Sequence, residues 1–260
     1  MGNSNERVIN LPDGPDVRVS QNRISASKVM AQAVVNVLQT TPAGQTIILA
    51  TGRTMLGFYP ELIRIAEEQK VDLRSFNYGQ LDNYVWRPSL YPRGPGSEDF
   101  IAYLQKNFLE PAHIPPDHFY PIDGVTEEPA QTAKRYDQWL SKQKIAAVFL
   151  SLGPLPEVHL AYMKANTPLD SGVHALTLSD STIARNKTRG EKGPTEAITL
   201  GLANIRAAAH KFVLTIGKPE EVRLALTGPI TPDVVATALR TDGFQESVHV
   251  YMDEVSAGGL

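Results

Sequence analysis

Apolar and polar positions alternate in blocks along this chain, and the clearest block is Gln45 to Thr54 (QTIILATGRT). Thr46, Ile47, Ile48 and Leu49 form a short, mostly β-branched run of the length of a buried strand. The run ends in a small, polar turn, Ala50-Thr51-Gly52-Arg53-Thr54. Beyond it Met55, Phe58, Tyr59, Leu62, Ile63 and Ile65 recur at roughly helical spacing, and that helix is expected to reach about Lys70. The same reading predicts an opening edge strand at Val17–Ser20 and a helix over about 25–40, capped by Ser25 or Ser27. A strand running from Phe76 into a polar turn at Asp82-Asn83-Tyr84 comes next. Arg87–Ser97, with three Pro and two Gly, reads as an ordered loop or lid, and Ser97, Glu98 and Asp99 as the cap of the helix FIAYLQKNFL. A helix from Thr126 to about Gln143 precedes the continuous apolar run Ile145–Leu152, a central buried strand. Further strands are expected at His174–Leu178, Ala197–Leu202, Lys211–Gly217 and Val248–Met252, and helices at 219–228 and 232–241. Strands alternating with helices specify an α/β fold with a doubly wound, mostly parallel sheet. Without repeat, low-complexity tract or linker, residues 1–260 read as one domain.

Composition narrows the function classes more than the fold. A formal net charge of −3 argues against nucleic-acid binding through a general basic field, while leaving room for local cationic pockets. Cysteine is absent, which excludes disulfide and thiolate chemistry and makes the cytoplasm the expected location. The polar start MGNSNERVINLPDG has no apolar core of a signal peptide, and no run of about 18 apolar residues suggests a membrane span. Histidines lack metal-ligand spacing and no serine sits in a nucleophile elbow, so neither a metal nor another cofactor is expected.

Three strand ends carry polar groups: 51–54, 82–84 and 153–159. In an open parallel sheet such ends converge on one edge, where ligands bind. Gly52 lets backbone approach an anion, Thr51 and Thr54 offer hydroxyls, and Arg53 adds charge; a plain helix-capping turn uses the same residue types. Asp82 is placed for proton transfer, although an Asx turn would employ it equally well. His159 stands two residues beyond Glu157, a pairing that would raise imidazole basicity if the side chains meet.

In this order the pieces resemble the superfamily of glucosamine-6-phosphate deaminase/isomerase and 6-phosphogluconolactonase, and the deaminase branch more closely. Thr51-Gly52-Arg53-Thr54 matches the family's Thr-Gly-x-Thr phosphate turn, and Asp82-Asn83-Tyr84 its Asp-Glu-Tyr. Asn107-Phe108-Leu109, Ile114-Pro115, Asp123-Gly124 and His159 match further motifs in sequence. The resemblance implies a phosphorylated-sugar pocket in which His159 assists ring opening, Asp82 moves a proton between C2 and C1, and Glu157 partners the histidine. Thr51, Gly52, Arg53 and Thr54 would hold the phosphate, with Lys187 near a family Arg and Lys218 near a family Lys. Deaminases of the family are often hexamers and lactonases monomers, so homo-oligomerisation stays open.

The chain also departs from the pattern. The family's Gly-x-Gly-x-Asp-Gly-His becomes Gly153-Pro154-Leu155-Pro156-Glu157-Val158-His159, placing Val158 where glycine would tolerate positive φ. Its Asn-Glu-Pro becomes Met163-Lys164-Ala165, a cation in place of a carboxylate, which should lower the imidazole pKa. Three functions follow as expectations: a sugar-phosphate isomerase/deaminase, a non-catalytic sugar-phosphate sensor, and a 6-phosphogluconolactonase-like hydrolase.

Overall fold

The computed structural model describes residues 6–12, 14–92, 94–95, 99–188 and 193–260. Among the described residues eleven strands run in chain order: β1 (Arg7–Ile9), β2 (Val17–Ser20), β3 (Thr46–Leu49), β4 (Asn77–Gln80), β5 (Asp82–Tyr84), β6 (Phe119–Tyr120), β7 (Ile145–Leu150), β8 (His174–Thr177), β9 (Glu196–Thr199), β10 (His210–Thr215) and β11 (Val248–Asp253). The α-helices are α1 (Arg23–Leu38), α2 (Phe58–Glu68), α3 (Phe100–Leu104), α4 (Pro129–Leu140), α5 (Asp180–Thr188), α6 (Leu202–Arg206), α7 (Pro219–Val222) and α8 (Glu254–Ala257).

Eight strands form one sheet in the order β1-β2-β11-β10-β7-β3-β4-β6. Every pairing in it is parallel except the hairpin of β1 with β2. β2 is therefore an inner strand rather than the expected edge, because Arg7–Ile9 pairs outside it. All six residues of β7 are buried, as a continuous apolar strand covered on both faces must be. The core around it joins Ile47, Val148 and Leu214 to a ring cluster in which Phe58 meets Phe149 edge-on at 4.9 Å.

The run expected as one strand from Phe76 splits at Leu81. Leu81 N–H still donates to Leu49 in the large sheet, while its carbonyl accepts from Leu200 N–H. From Asp82 the chain belongs to a second, antiparallel sheet of order β5-β9-β8. The predicted strands at His174–Leu178 and Ala197–Leu202 thus leave the parallel sheet and build this smaller one. Local alternation cannot assign a strand to a sheet; the partner decides.

Helix ends differ in detail. Asn22, not Ser25 or Ser27, caps α1, its Oδ1 accepting from Ser25 N–H at 3.1 Å. Asp99 caps α3, whereas Ser97 and Glu98 lie outside the described residues. The expected helix at 232–241 is a 3₁₀ stretch over Val235–Arg240. No helix among the described residues is long and apolar enough to cross a membrane.

Candidate active site

After β3 the chain adds β4 and β6 on one side, and then returns to place β7 on the other. The C-terminal ends of β3 and β7 therefore flank a topological switch point, the crevice where open α/β sheets bind ligands. A cavity of about 240 Å³ opens there, and its walls include Thr51, Gly52, Arg53, Thr54, Asp82, His159 and Lys218. Residues expected from three separate strand ends are brought together. Glu157 and Lys187 are not among the lining residues.

The 51–54 turn is held from behind. Tyr59 Oη donates to the Ala50 carbonyl at 2.5 Å, Tyr103 Oη to Gly52 at 2.7 Å, and an Arg23 guanidinium N–H to Arg53 at 2.8 Å. The 3₁₀ turn Arg53–Leu56 begins here, with Met55 N–H donating to the Gly52 carbonyl at 3.1 Å, and the start of such a turn is where backbone N–H groups suit an anion. Gly52 has φ of +102°, a conformation other residues rarely reach. On the opposite wall Lys218 follows Gly217 at the end of β10. Its backbone N–H donates to Ser256 Oγ at 3.0 Å and its Nζ donates to the Leu152 carbonyl.

Asp82 sits just past β4 and is 7 % exposed. Among the described residues no hydrogen bond or ion pair reaches its carboxyl group, and burial alone pushes its pKa up to about 7. A lone carboxyl that titrates near neutrality is suited to both taking and giving a proton. An Asx-turn role is absent, since its side chain caps no backbone group.

His159 is 5 % exposed, and its pKa is pushed down to about 3, first by burial and then by the cations Arg185 and Lys218. The imidazole is thus neutral at physiological pH. Its ring lies against the backbone of Gly153, where a Cβ would come within 2.0 Å of it, and Gly153 N–H donates to the His159 carbonyl at 2.7 Å. Val158 has φ of +41° and Ala161 of +52°, so the backbone keeps left-handed conformations on both sides of the histidine although neither residue is glycine. Such positions cost about 1–3 kcal/mol each and persist only where the surroundings enforce them. Here Val158 is fully buried, and its carbonyl accepts from Ala236 N–H at 3.0 Å.

Two sequence expectations are displaced. Glu157 does not meet His159; its Oε2 accepts from Ser181 Oγ at 2.7 Å and from Ser179 Oγ at 3.3 Å. Lys187 is exposed on α5, and the same helix instead presents Arg185 and Asn186 to the cavity. Two residues along a helix turn the side chain by about 200°, which carries Lys187 off the face that Arg185 occupies. Local sequence does not separate Arg185 from Lys187; the phase of the helix against the cavity does. Sequence reasoning also missed the aromatic wall. Tyr162 Oη donates to Tyr84 Oη at 2.8 Å, Asn186 Nδ2 donates to the same oxygen at 2.8 Å, and Phe100 stacks on Tyr162. No cluster of three metal-ligating side chains occurs among the described residues.

No protein-family model matches the chain. Glucosamine-6-phosphate deaminase of Streptococcus thermophilus is 29% identical over 246 residues, covering 92% of this chain and 97% of its own. Glucosamine-6-phosphate deaminase of Exiguobacterium sibiricum is 32% identical over 224 residues, covering 84% of this chain and 82% of its own. The chain belongs to the glucosamine-6-phosphate deaminase family. In fold it is similar to a monomeric glucosamine-6-phosphate deaminase, with a TM-score of 0.82 at 23% identity over 94% of this chain and 99% of that one. It is similar also to 6-phosphogluconolactonase from Trypanosoma brucei, with a TM-score of 0.70 at 20% identity over 95% and 98%. Membership of the deaminase family and the mixed α/β architecture both agree with the resemblance carried by Thr51-Gly52-Arg53-Thr54 and Asp82-Asn83-Tyr84.

Proposed function

We propose that this chain converts an aminohexose 6-phosphate, glucosamine 6-phosphate first among them, and water into the ketohexose 6-phosphate and ammonia. The phosphate would rest on the 51–54 turn between Arg53, Lys218 and Arg185, with Thr51 and Thr54 donating hydroxyl hydrogen bonds. Cations on two walls and backbone N–H groups on a third suit a dianion. The neutral His159 imidazole takes the proton of the anomeric hydroxyl and returns it to the ring oxygen, opening the sugar to its aldehyde. The Asp82 carboxylate then takes the proton from C2, so that an enolamine forms across C1 and C2, and delivers it to C1, while a proton of the C2 amino group passes to the C1 oxygen. The imine left at C2 adds water and releases ammonia.

The observation that carries this reading is the unpartnered, buried Asp82 carboxyl in one cavity with the anion-binding turn. The sensor reading has no use for a carboxyl held near neutral pKa. The lactonase reading rests on likeness of fold, whereas the relatives by sequence are deaminases. Incubation with glucosamine 6-phosphate should release ammonia and fructose 6-phosphate in equal amounts. Saturable binding without ammonia would replace the enzyme by a sensor. Hydrolysis of 6-phosphogluconolactone without deamination would replace it by a lactonase.

A further inference from the structure

Glu157 occupies the sequence position at which the family resemblance implies a partner for the histidine, yet its carboxylate is engaged elsewhere. Its Oε2 accepts hydrogen bonds from Ser181 Oγ at 2.7 Å and Ser179 Oγ at 3.3 Å. Ser179 Oγ lies in turn 3.0 Å from both Ser181 Oγ and Thr182 Oγ1, and accepts from Thr182 N–H at 3.3 Å. This polar knot lies at the start of α5, the helix that carries Arg185 and Asn186 to the cavity. Ser181 and Arg185 are four residues apart, so they lie on one face of the helix, a turn from each other.

The remainder of α5 is anchored by Ile183, packed on the apolar cluster of Tyr84, Trp86, Leu178 and Ala197, and by Asn186 on Tyr84 Oη. Those contacts fix the depth of the helix against the second sheet. The Glu157 contact ties the start of the helix to the 153–159 loop that carries His159. No acidic group contributes to the pKa of His159, which burial, Arg185 and Lys218 depress.

We infer that Glu157 is a positioning residue for the phosphate end of the site: it clamps the first turn of α5 to the histidine loop and thereby sets where Arg185 stands, instead of orienting His159. The clamp makes the arginine wall part of the resting structure, so that little ordering is left to occur when the anion binds. This assignment rests on the proposed placement of the phosphate beside Arg185.

Three variants test it: Glu157→Ala, Glu157→Gln and the pair Ser179→Ala/Ser181→Ala. Affinity for inorganic phosphate is read by calorimetry, and kcat, KM and the pH profile with glucosamine 6-phosphate. A clamp predicts that Glu157→Ala and the double serine variant each weaken phosphate binding about tenfold, the worth of one or two hydrogen bonds to a carboxylate. Combining them should add nothing further. Glu157→Gln keeps an oxygen that accepts from both serines and should restore most of the affinity, with kcat and the pH profile unmoved in every variant. Unchanged phosphate affinity overturns the clamp, as does a fall in kcat with altered pH profile that Gln fails to rescue, which would return Glu157 to the histidine. Because phosphate binding is read apart from turnover, a chain that binds phosphate but never releases ammonia refutes the proposed reaction and still tests the clamp. Melting temperatures of the three variants separate a local loss of affinity from a loss of fold.

Discussion

The 51–54 turn and the 153–159 loop face each other across one cavity and are built on opposite principles. The turn keeps the family's pattern, Thr51-Gly52-Arg53-Thr54, and each of its strained features has the residue type that tolerates it: the φ of +102° falls on glycine. Its support comes from distant side chains, Tyr59, Tyr103 and Arg23, through bonds to its carbonyls. The loop has Leu155 and Val158 where the family's pattern has glycine, with Pro154 and Pro156 beside them, and takes left-handed φ at Val158. The one glycine it retains, Gly153, has no positive φ; it is needed because the His159 ring lies on it. A backbone shape can therefore outlast the residues that favour it, provided that burial supplies the missing stabilisation.

The largest test of this division is Asp82→Asn. It should lower kcat by about 10²–10⁴-fold, the usual worth of a positioned acid/base. Affinity for glucosamine 6-phosphate should stay within several-fold, because the anion-binding wall is separate. Parallel losses in both would merge the two halves of the site.

Next in size is a pair of glycine replacements that should fail in different ways. Gly153→Ala drives a Cβ to 2.0 Å from the imidazole, so the ring must swing away and kcat should fall by roughly 10–100-fold with phosphate binding kept. Gly52→Ala meets no atom within 4 Å but forces alanine to φ of +102°. It should lower stability by about 1–3 kcal/mol and weaken phosphate binding, seen together in thermal melts and titration.

Acidity offers a third test. With Asp82 as the proposed base and its pKa raised to about 7, kcat/KM should rise with pH through an acid limb at about 7. His159, held near 3, adds no limb in the neutral range. The same burial has a stability counterpart. The folded-state pKa of Asp82 is raised above its unfolded value of 3.8, so native protein holds a proton that the unfolded chain loses between about 4 and 7. Stability is lost as pH rises through that window. Asp82→Asn should be the more stable protein by a margin that grows to as much as about 4 kcal/mol near pH 7 and then levels off. Denaturant melts at pH 5, 6, 7 and 8 read the margin; a constant margin would contradict burial as the cause.

The smallest effect is expected from Arg53→Ala with Thr54→Val. Arg53 is exposed, so its charge is partly screened, and a loss of about tenfold in phosphate affinity with unchanged melting temperature is expected. Unaltered affinity would shift the weight of anion binding to Lys218 and Arg185.

Much of the candidate site was legible in the amino-acid order. Thr46–Leu49 is a short β-branched run followed by a glycine turn and an amphipathic helix, and such local periodicity specifies strand, turn and helix without help from elsewhere. Asp82 and His159 were identifiable because each follows an apolar strand, and strand ends in a parallel sheet share an edge.

What local order did not determine depends on partners remote in the chain. Asp82–Tyr84 joins Glu196–Thr199 across more than a hundred residues, and nothing in either segment alone tells it from a strand of the main sheet. The choice of Arg185 over Lys187 is one of helical phase, fixed by which face of α5 packs Ile183 on the second sheet. Glu157 lies close to His159 in sequence and yet bonds two serines more than twenty residues on, since the side chain goes where donors converge rather than where the chain is short. Local periodicity specifies most of the strands and helices and marks the candidate groups at their ends, because both depend on near neighbours; which of those groups share the cavity depends on contacts remote in the chain.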